Sequence, residues 1–384
     1  MFKRGLAEFQ AKRLTQARQA KGWNKATLAV RAGLTRPAIS SFEKETNGTK
    51  PTAETLRTLA RELDVSPAFL TAPLRGRELE SSLENAVTFR SLAASTKADR
   101  AQAKVQLTWI GGISNFIEEV MSLQAERFPK IEFGDAALLK DSDIEEIAAE
   151  TRKAFGIGDG PISDLTLLLE NHGAFIGYVD LASGVDGISA WIDGRPVIAI
   201  NSNAFAARAR YDLAHELGHL ILHRNVSSEE FEDKNAHRLY EHQANFFGGC
   251  FHMPENTFSR FAYGIDLKSL IELKKQWGVS MQAAIMRMHS LGLISESQKT
   301  RAFQQISAAG FRRKEPLDGE VPREQTRLFK KVADFLRVNS VLTTDDFFLL
   351  SGYPEAFLEA LTGLKRAPVI EASNVVQFRL KVSS

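Results

Sequence analysis

The sequence predicts an α+β chain that is mostly helical, with an N-terminal five-helix unit, a helical connector, a mixed region whose small β-sheet lies beside one buried helix, and a helical C-terminal region. Three observations predict it. Apolar residues recur at helical spacing along most of the 384 residues. Strand-like runs are confined to residues 174–200, where two of them flank Asp193-Gly194, a two-residue hairpin signal. A chain of this length exceeds one hydrophobic core, so the changes of pattern are read as boundaries, giving units 1–75, 76–140, 141–295 and 296–384.

In the first unit, a helix from Leu6 to Ala20 carries Phe9, Leu14 and Ala17 with basic residues between, and Lys21-Gly22 ends it. A second helix, Lys25 to Ala32, buries Leu28 and Ala29 before Gly33-Leu34 turns the chain. Thr35 caps a third, Arg36 to Glu43, with Pro37 in the first turn, where a missing N–H costs nothing, and Ile39 and Phe42 facing the core. Leu56, Leu59 and Leu63 mark a fourth helix, and Pro67 to Leu70 a fifth. Charge is concentrated here. Residues 1–75 hold 14 Lys/Arg against 6 Asp/Glu, whereas the remainder holds 35 against 41, so a basic head precedes an acidic body. Such asymmetry points to a polyanion bound by the head alone.

Helix, Ala-x-x-Gly-Leu turn and short helix form a helix-turn-helix arrangement, whose second helix enters the major groove of DNA. The run Leu28-Ala29-x-x-Ala32-Gly33-Leu34-Thr35-x-x-x-Ile39-Ser40-x-Phe42-Glu43 resembles the repressor-type helix-turn-helix domain of phage and bacterial regulators. Arg36, Ala38, Ser40 and Ser41 are the candidates for base edges, and Lys25, Lys44 and Lys50 for phosphates.

The connector recurs apolar at helical spacing from Val105 to Leu123, without Pro/Gly/Ser-rich runs or repeats. Beyond it, helices are expected at Ile144 to Phe155 and Ser163 to Asn171, and strands at Ala174 to Val179, Gly187 to Ile192 and Pro196 to Ile200. The buried helix that follows carries His215-Glu216-Leu217-Gly218-His219. Histidines at i and i+4 share one helix face about 6 Å apart, a span that one Zn²⁺ bridges at about 2.0 to 2.1 Å from each nitrogen. Glu216 then points beside the metal, where a general base for water is needed. Burying two imidazoles and a carboxylate among Ala214, Leu220, Ile221 and Leu222 is costly unless a metal or partner compensates. The strands fit this chemistry, because an extended peptide can add to a sheet edge beside the metal.

A catalytic zinc needs a third protein ligand. Leu222 and Asn225 stand where the metzincin pattern requires Gly and His, which excludes that class. Glu241 on a second helix is the preferred candidate, with His237 and His242 as rivals and Asn245, one turn on, placed to hold a ligating imidazole. His223, a turn beyond His219, reads as an outer contact of the site, as a substrate-binding group, or as an ordinary polar helix end, the last being preferred. Tyr211, Tyr240 and Arg210 are equal candidates for stabilising an oxyanion.

The runs Arg195 to Asn201, Ala214 to His223, Glu241-x-Gln-Ala-Asn-Phe-Phe and Met253-Pro254 resemble the ImmA/IrrE family of bacterial zinc metallopeptidases over residues 141–260, and Phe89 to Arg100 resembles regulators that fuse such a domain to a helix-turn-helix head. The resemblance implies a zincin-like fold, zinc ligands at His215, His219 and Glu241, Glu216 as base, and proteolytic relief of repression in stress or mobile-element control. Tyr211-Asp212-Leu213-Ala214 stands where many members have Phe-Thr-Leu-Ala, a departure at substrate preference rather than at the metal.

Cys250, the only cysteine, excludes intramolecular disulfides and Cys-rich zinc ribbons, and no apolar run approaches the roughly 18 to 20 residues of a membrane span. A cytoplasmic location is expected. The expected partners are double-stranded operator DNA, a second copy of the chain, and a protein substrate such as a helix-turn-helix repressor or toxin-like neighbour, with no membrane. The competing reading is a DNA-binding repressor or antitoxin-like regulator whose zinc domain is a non-hydrolytic sensor. In the C-terminal region helices are expected at Thr326 to Val338, Thr343 to Leu350 and Glu355 to Leu364, with no role assigned.

Overall fold

The computed structural model describes residues 9–72, 74, 88–89, 96–121, 128–182 and 184–366. The expected helix start at Leu6 and most of the Phe89 to Arg100 stretch lie outside them.

The head consists of α1 (Ala11–Ala20), α2 (Lys25–Arg31), α3 (Arg36–Phe42) and α4 (Ala53–Glu62). Each start after the first is capped by a short polar side chain that accepts a backbone N–H: Asn24 from Thr27, Thr35 from Ala38, and Thr52 from Thr55. Gly33, at φ +66°, makes the turn between α2 and α3 in a conformation that favours glycine. The fifth helix is only a 3₁₀ turn, Phe69–Thr71, because Ser66 already caps Phe69 N and three residues cannot close an α-helical repeat.

The connector differs from the all-helical expectation in one element. Thr88–Phe89 form β1, a strand too short to leave any periodicity in the sequence. α5 (Lys97–Val120) starts eight residues before Val105, since Thr96 and Asp99 form a reciprocal capping box. α6 (Asp141–Ala154) and α7 (Leu165–Asn171) lead into β2 (Phe175–Val179), β3 (Gly187–Ile192) and β4 (Arg195–Asn201). The four-stranded sheet has the order β1-β3-β4-β2, antiparallel except for the parallel β4–β2 pair.

Alternation in the sheet sends one set of side chains to each face. Phe175, Val179, Ile188, Ala190, Ile192, Val197 and Ala199 face α5, whereas Ile176, Ile198 and Ile200 join α6, α7 and the helices that follow. α5 lies close because a Cβ at Gly111 would meet Ile192 Cδ1 at 2.7 Å and one at Gly177 would meet Ile110 Cδ1 at 2.5 Å.

On the second face lie α8 (Ala206–Leu222), α9 (Ser228–Glu232) and α10 (Lys234–His252). α11 (Glu255–Phe258), α12 (Leu267–Trp277), α13 (Met281–Ser290) and α14 (Glu296–Ala308) form a separate apolar cluster around Phe258, Trp277, Ile285 and Ile306. Buried Lys274 of α12 pairs with Glu315 at 2.8 Å and with Asp318, which fastens the following turn to this cluster. α15 (Leu328–Val338), α16 (Thr344–Ser351) and α17 (Glu355–Thr362) return to the α5 side, and one continuous core joins them to α5, the sheet face and the head. Arg13 of α1 is fully buried there, with the rings of Phe69 and Tyr353 each at 5.0 Å.

Candidate metal centre

His215, Glu216 and His219 belong to α8, and Glu241 belongs to α10, the helix packed most closely on it. Small residues permit that approach. A Cβ at Gly218 would lie 3.1 Å from Phe247 Cδ1 and 3.2 Å from the Ala244 backbone, and one at Gly248 would lie 3.4 Å from His215 N. Close helix contact brings three ligand-type atoms together. His215 Nε2 and His219 Nε2 face each other at 3.0 Å, with Glu241 oxygens 3.6 and 3.3 Å away, and all candidate donors lie within 4.8 Å of one another.

Hydrogen bonding behind the cluster fixes the tautomer of one ring. Gln243 Nε2 donates to Ala136 O at 2.7 Å, which leaves Gln243 Oε1 to accept from His223 Nε2 at 2.9 Å. Burial, and secondarily the neighbouring His219, hold the His223 pKa well below the ordinary histidine value, so its ring is neutral. Its Nδ1 then accepts from His219 Nδ1 at 2.9 Å, and His219 Nε2 is left with its lone pair aimed at the cluster. Two imidazole nitrogens and a carboxylate facing one point are a donor set that suits a borderline-soft divalent cation. The residues present fit such an ion.

Glu216 is fully buried between α8 and β3. Ser189 Oγ donates to its Oε2 at 2.7 Å, and a Cβ at Gly187 would stand 2.9 Å from its Oε1. Trp191, two residues along β3, donates Nε1–H to Leu220 O at 3.1 Å, so the strand runs alongside the motif.

Residues 169–289 match the family model of the IrrE N-terminal-like domain, a peptidase family, and residues 14–70 match the helix-turn-helix model. The chain fuses a helix-turn-helix domain to an IrrE-like domain. No curated protein matches it. Among solved structures, a Mycobacterium tuberculosis transcriptional regulator is similar at 16% identity over 47% of this chain, with a TM-score of 0.30, and the match spans about half (51%) of that regulator.

Within the IrrE-like domain the rivals of Glu241 lie apart from the cluster. His242 points outward and meets Asp141 Oδ1 at 2.9 Å, and His237 is no member of the converging group. The Asn245 amide donates to Glu241 O of its own helix at 2.8 Å rather than to an imidazole. Its carbonyl accepts the Tyr211 hydroxyl at 2.8 Å, which sets Tyr211 one turn before His215 on α8. Tyr240 packs on the His223 ring, and Arg210 pairs with Glu324 at 3.3 Å. The sequence reading assigned no role to Ser189, Gly187 or Gln243, although Gln243 stands in the run Glu241-x-Gln-Ala-Asn-Phe-Phe, since each acts only through a neighbour in space.

In the helix-turn-helix domain, Arg36, Lys44 and Lys50 are exposed, and Ala38 and Ser40 are half-buried on α3. Ser41 Oγ is engaged by the loop that follows α3, accepting from Thr49 N and meeting Thr49 Oγ1 at 2.8 Å. Lys25 pairs with Glu43 at 3.3 Å, and the same carboxylate takes both arms of buried Arg18 at 2.5 and 2.9 Å. That cluster ties α1, α2 and the end of α3 together, so Lys25 serves the fold of the head as well as its charge. No helix among the described residues is long and apolar enough to cross a membrane.

Proposed function

We propose that the chain is a cytoplasmic transcriptional regulator whose IrrE-like domain is a zinc endopeptidase acting on a repressor or another regulatory protein. The observation that carries this reading is the convergence of His215, His219 and Glu241 within 4.8 Å, with a buried glutamate next in sequence to the first histidine. Zinc held by these three would act as a Lewis acid on the scissile carbonyl and the attacking water. Glu216 takes the proton from that water and returns it to the leaving amine. His223 and Gln243 keep His219 in the tautomer that a ligand requires. Tyr211, one turn before His215 on α8, is the preferred donor to an oxyanion. The head would bind operator DNA as a pair of copies, each α3 in one major-groove half-site, as the symmetry of such sites demands.

The test compares wild-type protein with Glu216→Gln, both loaded with zinc, on a helix-turn-helix repressor or toxin-like protein encoded beside it. Cleavage should fall at least about 100-fold in the variant, while zinc content stays the same. Equal outcomes for the two proteins would sink the peptidase reading. They would favour a non-hydrolytic sensor, for which one observation speaks: a cleft of about 840 Å³ lies between Tyr211, Asn245 and Met286 and is lined by none of the four central residues.

A further inference from the structure

α7 and α15 cap each other past the end of the sheet. Glu324, in the connection between α14 and α15, accepts Leu165 N at 3.0 Å with one oxygen, and with the other Thr166 N at 2.7 Å and Thr166 Oγ1 at 2.8 Å, which closes the start of α7. From the far end of α7, buried Glu170 accepts Arg327 N at 3.0 Å and Leu328 N at 3.1 Å, which closes the start of α15. Arg327 pairs with Asp164 at 2.9 Å, and Arg323 donates to Ser202 O just past β4. β2 stands last in the four-stranded sheet. Residues 323–328 pass it from the face of α7 and α8 to the face where Phe329 of α15 meets Phe175 of β2, ring centroids 5.7 Å apart.

This crossing is anchored on both faces. On one, Glu324 also pairs with Arg210 at 3.3 Å, one residue before Tyr211 on the helix that carries His215. The two side chains are 13% and 12% exposed, and Arg210 Nε and Nη2 are buried with no hydrogen-bond partner among the described residues. Glu324 is thus the carboxylate paired with a buried guanidinium, and a movement of α8 away from it leaves that charge uncompensated. On the other face, α15, α16 and α17 share their core with the head. Tyr353 and Phe69 flank Arg13, Trp109 stands between Phe69 and Phe357 at 5.6 and 5.2 Å, and a Cβ at Gly352 would meet Ala72 Cβ at 3.0 Å.

We propose that residues 323–328 are a strap that joins the metal helix and the DNA-binding head into one cooperative unit, so that an ion at His215, His219 and Glu241 steadies the head. The strap rests on the metal site proposed above and is independent of hydrolysis. Native proteins open locally in cooperative units, and a ligand suppresses every opening that breaks its site. Displacing the strap strands Arg210 on α8 and uncaps α7 and α15 together, so the three open as one. Loading or emptying the metal site thereby changes how firmly the head is held, which is a route from the body to DNA affinity.

The experiment is hydrogen exchange read by mass spectrometry on the full chain, with and without zinc. Zinc at roughly a hundred times its Kd suppresses by about 100-fold any opening that breaks the site, so in the wild type amides of α15 and α1 should slow at least about tenfold along with those of α8. Glu324→Gln removes the acceptor for Thr166 N and the charge facing Arg210. Zinc should then slow α8 and α10 and leave α15 and α1 unchanged. Should that variant fail to fold, Arg210→Met keeps the test intact, since an apolar side chain cuts the link to α8 while Glu324 keeps its caps; it should show the same restriction. Slowing confined to α8 and α10 in the wild type, or slowing of α15 and α1 retained in Arg210→Met, would overturn the proposal. No zinc uptake by the wild type would overturn the metal site and the strap with it. Protection that reaches α1 without cleavage of any substrate counts against the peptidase reading alone, whereas cleavage with protection confined to α8 and α10 counts against the strap alone.

Discussion

The head and the IrrE-like body both present function from helices, yet they do so on opposite sides of the solvent boundary. In the head the candidate contacts Arg36, Lys44 and Lys50 are exposed on a small scaffold whose core is Leu14, Leu28, Ile39 and Leu59. In the body His215, Glu216, His219 and His223 are all buried, and hydrogen bonds run from His219 through His223 and Gln243 to Ala136, while Glu216 is held by Ser189. Charge at a surface acts through long-range attraction and leaves packing alone. A buried polar chain cannot be separated from packing, because each member satisfies another. Function and stability should therefore come apart in the head and move together in the body.

The largest expected effect lies in the body. His215→Ala or Glu241→Ala should lower zinc affinity by at least about 100-fold, as loss of one of three protein ligands does, and metal analysis of the purified protein reads it directly. Chelation should also destabilise the wild type by about 4 kcal/mol when zinc had been present at roughly a thousand times its Kd. The head supplies the control, since Arg36→Ala should change neither zinc content nor the response to chelator. A wild-type thermal midpoint that ignores chelator would break the comparison.

A smaller effect tests whether the head has any buried network of its own. Glu43 binds Arg18 through two contacts and Lys25 through a third, and its side chain is 2% exposed. Glu43→Ala strands the buried Arg18 guanidinium and should cost about 3 to 5 kcal/mol, whereas Lys25→Ala leaves the Arg18 pair in place and should cost under about 1 kcal/mol. Denaturant unfolding of the two variants measures both. Similar losses in the two would mean that the carboxylate is held by something other than Arg18.

The same contrast explains what the sequence made legible. Much of the head could be read element by element, because the cap at Thr35 and the glycine turn at Gly33 are local signals, written within four residues of their effect. The two histidines and Glu216 were legible for the same reason, being one helical turn. Glu241 was narrowed but left beside His237 and His242, because choosing among them required knowing how α10 is rotated against α8, and that is set by Gly218 and Gly248 at the crossing. Ser189 and Gly187 were invisible. They act on Glu216 across the gap between a strand and a helix 27 and 29 residues away in the chain, and no spacing rule reaches that far. β1 escaped because two residues have no period.

The smallest effect is also the cleanest separation of the two regions. Lys50 is exposed and Arg36 is exposed at the first position of α3, so neither substitution should alter thermal stability by more than about 0.5 kcal/mol. Their consequences for DNA should nevertheless differ. Arg36→Ala, if the side chain reads a base edge, should cost about 1 to 3 kcal/mol on the operator and much less on random DNA. Lys50→Ala, if it neutralises a phosphate, should weaken both alike and reduce the slope of log affinity against log salt by about 0.9. Titrations at several salt concentrations, on operator and on scrambled duplex, distinguish the two. An unchanged salt slope for Lys50→Ala would remove it from the contact surface and move the phosphate footprint toward Lys44, which stands exposed just beyond the end of α3.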